Sequence, residues 1–231
     1  MAKELAEICK DIQTHMKMSR ITDKNRGKHD FMGLYSQIFA AYRSSATSMF
    51  EIGVNRGGSI MMWRDYFSKA QVYGIDRTMR KCLIPKDERD RITILQLDQS
   101  FKEGLEGFGK KYGPFDVGID DGSHVWSHQI LTFETLWPYI KPGGTFVIED
   151  VVTSYDAWVN SEGQTRPNRN YGEKHPSCME YFHTLVDHLN FNGKDYETSP
   201  WDEFQRTIDW ISFRVNVIVV KKKAQGSYDP C

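Results

Sequence analysis

Two strand ends carry most of the chemistry-bearing side chains in this 231-residue sequence. Asp120-Asp121-Gly122-Ser123-His124 follows one apolar run, and Glu149-Asp150 ends another. On neighbouring strands of one sheet, Asp121, Glu149 and Asp150 converge at a single edge. Carboxylates that share a pocket raise one another's pKa and need a counter-charge. A hard divalent cation such as Mg²⁺ takes oxygen ligands and leaves positions open for water or a substrate oxygen, so the three acids read as a metal-binding set. The alternative is that such acids cap the helices that follow, and for Asp120 that is the preferred reading. His124 stands three residues past Asp121, where a neutral imidazole can take a proton from a hydroxyl beside the ion. His128, one helical turn further, is the fallback and a candidate substrate contact.

A second constellation precedes these. Glu51-Ile52-Gly53-Val54-Asn55-Arg56-Gly57-Gly58-Ser59 leaves the first apolar run. Gly53 suits a tight turn, and Gly57 and Gly58 let a ligand approach the backbone where a helix begins and free N–H groups point outward. The next run ends at Asp76, followed by Arg77, at the distance where a carboxylate accepts hydrogen bonds from ribose hydroxyls. The third ends at Asp98-Gln99, within reach of an adenine edge. A glycine turn that binds nothing is the alternative for the loop alone. The dinucleotide pattern GxGxxG lacks its middle glycine here, whereas ExGxxxGGS with a later strand-end acid resembles the arrangement of S-adenosylmethionine methyltransferases. Glu51, Gly53, Asn55, Gly57, Gly58, Ser59, Asp76, Arg77, Asp98, Gln99 and Asp120 make up the expected cofactor site.

The elements that must position these residues follow from periodicity. Helices are expected over about 2–17 and 30–43, then strands at SMFEIGV, QVYGID and ITILQLD, with a helix at about 58–67 between the first two. A helix at about 100–112, the strand FDVGIDD, a helix at about 126–139, the turn signal KPGG and the strand TFVIED come next. A polar stretch, 152–175, reads as a loop over a site. A helix at about 176–191 and the strands RTIDWISF and NVIVVKK complete the chain. Alternating strands and helices imply a parallel sheet covered on both faces, and the last two strands imply an antiparallel edge hairpin. The expected fold is an α/β, Rossmann-like class I methyltransferase with seven strands and N-terminal helices. Residues 1–45 form a helical cap and 46–231 the methyltransferase domain, one domain overall.

Composition sets the outer bounds. Net charge is −1, which gives no support to a nucleic-acid partner. Mean hydropathy is −0.56, and no stretch reaches the roughly 20 apolar residues that span a bilayer. The charged N-terminus has no signal-peptide core, so a cytoplasmic location is the default expectation. Cys9, Cys82, Cys178 and Cys231 are too scattered for a zinc site or a disulfide framework.

The stretches EIGVNRGGSIMMWRDYF, YGIDRT, LDQS, IDDGSHVWSHQ and KPGGTFVIEDVVTSY together resemble the metal-dependent sugar O-methyltransferases of natural-product pathways, over about 22–220. The resemblance implies Mg²⁺ held by Asp121, Glu149 and Asp150, with His124 as general base. It implies a sugar hydroxyl as acceptor, on a deoxyhexose such as rhamnose in a glycoside or glycan. Catechol O-methyltransferase is similar in logic but uses a lysine base. The segment around TDK (22–24), His29 and Tyr35 also looks familial and is expected to close over the cofactor. Macrolide members carry a long N-terminal extension that helps build their oligomer. This sequence begins without one, which leaves a homo-oligomer open. In the 152–175 loop, Tyr155, Trp158, Asn168, Asn170 and Tyr171 mix rings with amides as a carbohydrate face requires, and Tyr155 and Trp158 are the substrate candidates. An ordinary surface loop is the alternative there. Two other readings of the whole remain: a catechol- or phenol-type O-methyltransferase, and a non-catalytic S-adenosylmethionine-binding module.

Overall fold

The seven apolar runs pair into one sheet. The computed structural model describes residues 3–17, 22, 24–26, 29–155, 157–159, 165–167, 176–191, 195 and 200–226. The strands are β1 (Ser48–Ile52), β2 (Gln71–Asp76), β3 (Ile92–Gln96), β4 (Phe115–Asp120), β5 (Ile140–Glu149), β6 (Ile208–Arg214) and β7 (Val217–Lys222). Their spatial order is β6-β7-β5-β4-β1-β2-β3. Strands β1 to β5 run parallel. Strand β7 is antiparallel to both of its neighbours, which gives the expected edge hairpin. The chain starts at β1, builds outward to β3, then returns to lay β4 on the other side of β1. That reversal opens a crevice beyond the carboxyl ends of β1 and β4, where ligands bind in such sheets.

Helices cover both faces. On one side lie α1 (Leu5–His15), α2 (Phe31–Ile38) and α3 (Gly58–Tyr66); on the other lie α4 (Lys102–Tyr112), α5 (Trp126–Leu136) and α6 (Cys178–Leu189). The short α7 (Glu203–Thr207) leads into β6. Leu5, Ile8, Cys9 and Ile12 form the buried stripe of α1, and its first turn is closed by a capping box of Glu4 and Glu7. This stripe shares a core with Tyr35, Phe39, Trp63 and Phe67, so the N-terminal helices pack into the same apolar cluster as the sheet. The second helix is shorter than expected: α2 ends at Ile38, and a 3₁₀ turn, Ala40–Tyr42, follows. KPGG also departs from expectation. Strand β5 runs through it, with Gly143 at φ +74° and a register irregularity between Phe115 and Val117 on β4. The glycine absorbs the bulge while pairing continues.

Side-chain alternation sorts the sheet into two cores. Met49, Val117 and Val147 face α1–α3, whereas Phe50, Phe115, Phe146 and Ile148 face α4–α6. Cys9 and Cys178 are buried free thiols, Cys82 is a half-buried one, and Cys231 lies outside the described residues. No helix among the described residues is long and apolar enough to cross a membrane. Phe50 is fully buried against Phe108, Phe115 and Phe146. Phe50→Ala should therefore cost about 3–5 kcal/mol in a urea melt; a loss of under about 1 kcal/mol would mean that this face of the sheet is not packed as described.

Candidate functional site

The alternation that buries Met49, Ile119 and Val147 on the α1–α3 face carries two positions further to Glu51, Asp121 and Glu149. These strands are adjacent, with Ile52 level with Asp120 and Asp120 level with Ile148. Three carboxylates thus meet on one face at the carboxyl edge of the sheet, where an apolar side chain would otherwise sit. Glu51 and Glu149 are almost completely buried. A buried charge demands a partner, and the partner is Lys24. Its ammonium is fully enclosed, 2.6 Å from Asp121 Oδ2, 2.6 Å from Glu149 Oε1 and 3.0 Å from Glu51 Oε1. The Tyr35 hydroxyl donates to Glu149 Oε1, and the Ser59 hydroxyl donates to Glu51 Oε2 at 2.7 Å. Burial works against the Lys24 charge, but Asp121, Glu149 and Glu51 outweigh it and hold its pKa well above the ordinary lysine value. Burial, then the neighbouring Asp121, pushes Glu149 well above the carboxylate range; burial also raises Glu51, against the pull of Lys24.

A second set of donors faces outward from the same edge. Ligand atoms of Asp121, His124 and Asp150 lie within 4.8 Å of one another, as do those of Glu51, Asp121 and Glu149. Asp121 belongs to both sets. The expected trio of Asp121, Glu149 and Asp150 is therefore divided: Glu149 turns inward to Lys24, and Asp150 turns outward to His124. Strand β5 ends at Glu149, and Asp150 follows in the left-handed region, so the chain turns between the two acids. Asp150 adopts φ +57° and His124 φ +58°, and His124 Nε2 lies 3.5 Å from Asp150 Oδ2. Asn216, in the β6–β7 turn, donates from Nδ2 to Asp150 Oδ1 at 2.6 Å and accepts from Val152 N–H at 2.7 Å. The Thr153 hydroxyl lies 3.1 Å from the carbonyls of both His124 and Asp150, joining the two loops. His128 is engaged elsewhere, with Nδ1 2.9 Å from Ser123 Oγ.

The glycine loop lies beside this edge. Gly53 has φ +97°, and a Cβ there would stand 2.0 Å from the Asp121 carbonyl oxygen, so the loop and the Asp121 strand end can touch only through a glycine. Gly57, at φ +90°, begins α3 from the left-handed region. Asp76 Oδ2 accepts from the N–H groups of Val54 and Asn55, both at 3.0 Å, and Oδ1 accepts from Thr78 N–H. The acid expected to meet a ribose thus also shapes the loop. Several other expected cofactor residues point inward. Glu51 and Ser59 bond each other in the core. Gln99 donates to both Asp120 oxygens at 2.8 and 2.7 Å and accepts from Ser123 N–H at 2.9 Å. Asp120 caps no helix, since Val125 starts α5 without a side-chain cap; its Oδ1 accepts from Gly122 N–H within the loop. Burial raises Asp120 to about 7 despite the bonds from Gly122 and Gln99. Asp98 is held below its ordinary value by hydrogen bonds from Ser100.

Tyr155 is exposed after β5. For Trp158 only the backbone is described, and Asn168, Asn170 and Tyr171 lie outside the described residues. On α6, His183 is exposed, while His188 bonds Asp202, which caps α7. Sequence reasoning placed Lys24 and Tyr35 in a segment expected to close over the cofactor, whereas their side chains turn to the buried carboxylates; it found no role for Asn216. For Lys24 a signal existed in the alternation of β1, which points Glu51 to the same face as Met49.

Comparisons with known proteins agree with this fold. Residues 50–151 match a family model described as a methyltransferase domain. The chain carries a methyltransferase domain of this family, on a Rossmann-like sheet. Among curated relatives it is 32% identical over 210 residues to the 8-demethyl-8-alpha-L-rhamnosyl tetracenomycin-C 2'-O-methyltransferase of Streptomyces olivaceus, covering 87% of this chain and 52% of that protein. It is 38% identical over 148 residues to the mycinamicin VI 2''-O-methyltransferase of Micromonospora griseorubida, covering 60% and 35%. Among solved structures, the MycE methyltransferase of the mycinamycin biosynthetic pathway, in complex with Mg and SAH, superposes with a TM-score of 0.75 at 30% identity. That match covers 98% of this chain and 55% of MycE. The chain spans about half or less of the length of these relatives.

Asp120 supplies a pH prediction. Its folded pKa, about 7, exceeds the unfolded value of about 4, so the folded state binds the extra proton. That contribution is fully present below about pH 4 and is lost as the pH rises through about 7. Urea midpoints of the wild type should fall relative to Asp120→Asn across that window. Parallel profiles would show that Asp120 does not titrate in the fold.

Proposed function

We propose that this chain is a Mg²⁺-dependent O-methyltransferase that uses S-adenosylmethionine to methylate a hydroxyl of a sugar, a deoxyhexose such as rhamnose in a glycoside. The observation that carries this reading is the outward set of Asp121, His124 and Asp150, gathered within 4.8 Å beside the glycine loop. Relatives named for a rhamnosyl 2'-hydroxyl and for mycinamicin VI support the acceptor class, and MycE, solved with Mg and SAH, supports the cofactors. The donor set suits a hard divalent ion: carboxylate oxygens at an edge partly open to solvent, with room for further oxygen ligands. Asp121 and Asp150 would hold it, and Glu149 would join them only if the Lys24 ammonium gave way.

When bound, the cofactor supplies the methyl group on its sulfonium and the ion supplies positive charge that acidifies an acceptor hydroxyl. His124 takes the proton that this hydroxyl loses as its oxygen forms the bond to the methyl carbon. Asp150, beside Nε2, orients the imidazole and stabilises its charged form. Gly53, Asn55, Gly57 and Gly58 shape the nucleoside site, and the start of α3 offers N–H groups to the cofactor's carboxylate. Asp76 keeps lone pairs for the ribose beyond those it gives to the loop. Arg77, Asp98, Tyr155 and Trp158 complete the proposed cofactor and acceptor contacts.

The reading is tested by turnover on a rhamnoside and on a catechol, with and without chelator. Transfer should favour the rhamnoside, disappear in EDTA and return with Mg²⁺; undiminished transfer by metal-stripped protein would contradict it. His124→Ala should slow turnover about 100-fold or more, while calorimetry shows S-adenosylhomocysteine binding unchanged within about twofold, as expected for a group that acts only on the acceptor. Wild-type turnover in that variant would remove His124 from the chemistry.

A further inference from the structure

The metal reading leaves one group unexplained, the ammonium of Lys24. It occupies the position between Asp121 and Glu149 that an inner-lying cation would take, 2.6 Å from an oxygen of each, and it is wholly enclosed. Lys24 comes from far along the chain, ahead of α2, and its own carbonyl accepts from Phe31 N–H at the start of that helix. The side chain is therefore fixed at both ends: by the helix it precedes and by three carboxylates on three strands.

We propose that Lys24 is the site's resident cation, a positioning residue that competes with the divalent ion for Asp121 and Glu149 and so weakens that ion's binding. This rests on the metal reading above. Asp121 and Asp150, which share the outer donor set with His124, together outweigh the one ammonium that faces Asp121 and leave an excess of negative charge at the strand ends. An incoming divalent ion gains from that excess but is repelled by a fixed positive charge a few ångströms away. Without Lys24 the ion would face the same carboxylates with no competitor. Without the ion, Lys24 is the counter-charge that faces Glu51 and Glu149 among the described residues. The arrangement gives a protein that folds free of metal and takes up its ion reversibly.

The test is Lys24→Met, which keeps most of the length of the side chain and removes its charge, with Lys24→Met/Glu51→Gln as a second variant that lowers the uncompensated charge should the first fail to fold. Mg²⁺ and Mn²⁺ affinities are measured by calorimetry, and melting temperatures in EDTA and in saturating Mn²⁺. The expected result is binding tighter by at least about tenfold, with a melting temperature that falls in EDTA and is restored by Mn²⁺ to a greater extent than in the wild type. Ion binding by the variant alone would support the proposal equally. Equal or weaker ion binding, or a melting temperature lowered by the same amount with and without Mn²⁺, would overturn it while the metal reading stands. Absence of ion binding by every protein tested would overturn both.

Discussion

Three carboxylates, two buried and one half-buried, meet on one face at the ends of three adjacent strands, and the rest of the site depends on how that charge is neutralised. Glu51, Asp121 and Glu149 stand where the alternation of β1, β4 and β5 would otherwise place apolar side chains against α2 and α3. Removing such groups from water costs several kcal/mol each unless they are paired and hydrogen-bonded. Lys24, Tyr35 and Ser59 meet that requirement. Each also ties a helix or its leading segment to the sheet. The N-terminal segment is thereby anchored at the carboxyl edge of the sheet by electrostatics as well as by the apolar stripe of α1.

The outward half of the site is assembled from backbone conformations that few residues tolerate. His124 and Asp150 both sit at positive φ, a strain that persists only where the surroundings impose it. Here the surroundings are Asn216, which grips Asp150 from the edge hairpin, and Thr153, which spans the two loops. The antiparallel pair β6–β7 thus does more than close the sheet: its turn aims an acid at the imidazole. On the other side, the Gln99 amide and the buried Asp120 brace the Asp120–His124 loop from beneath, and Gly53 allows the glycine loop to rest against Asp121.

Much of this was legible in the sequence. Strand-end acids, the glycine loop and the helix-strand alternation depend on local patterns, and all seven strands fall where the apolar runs predict. The departures arise from long-range partners. Glu51, Ser59 and Gln99 look like cofactor contacts because they stand in the loops that line such a site, yet their side chains turn into the core to satisfy one another or Asp120. Glu149 ends β5 and Asp150 lies beyond it in the left-handed region, and that turn divides the expected metal trio. Lys24 lies 97 and 125 residues from Asp121 and Glu149, and no spacing rule connects residues so far apart. The need for a counter-charge was readable; that a lysine meets part of it was not.

The central claim is that this carboxyl edge holds a divalent ion beside His124 and next to the nucleoside loop. Anomalous diffraction from crystals grown with Mn²⁺ and S-adenosylhomocysteine tests it most directly. The account predicts a single strong peak bound by Asp121 and Asp150 oxygens, with the cofactor product lying over Gly53 and Gly57. Cofactor product in that loop with no peak at the strand ends would contradict it.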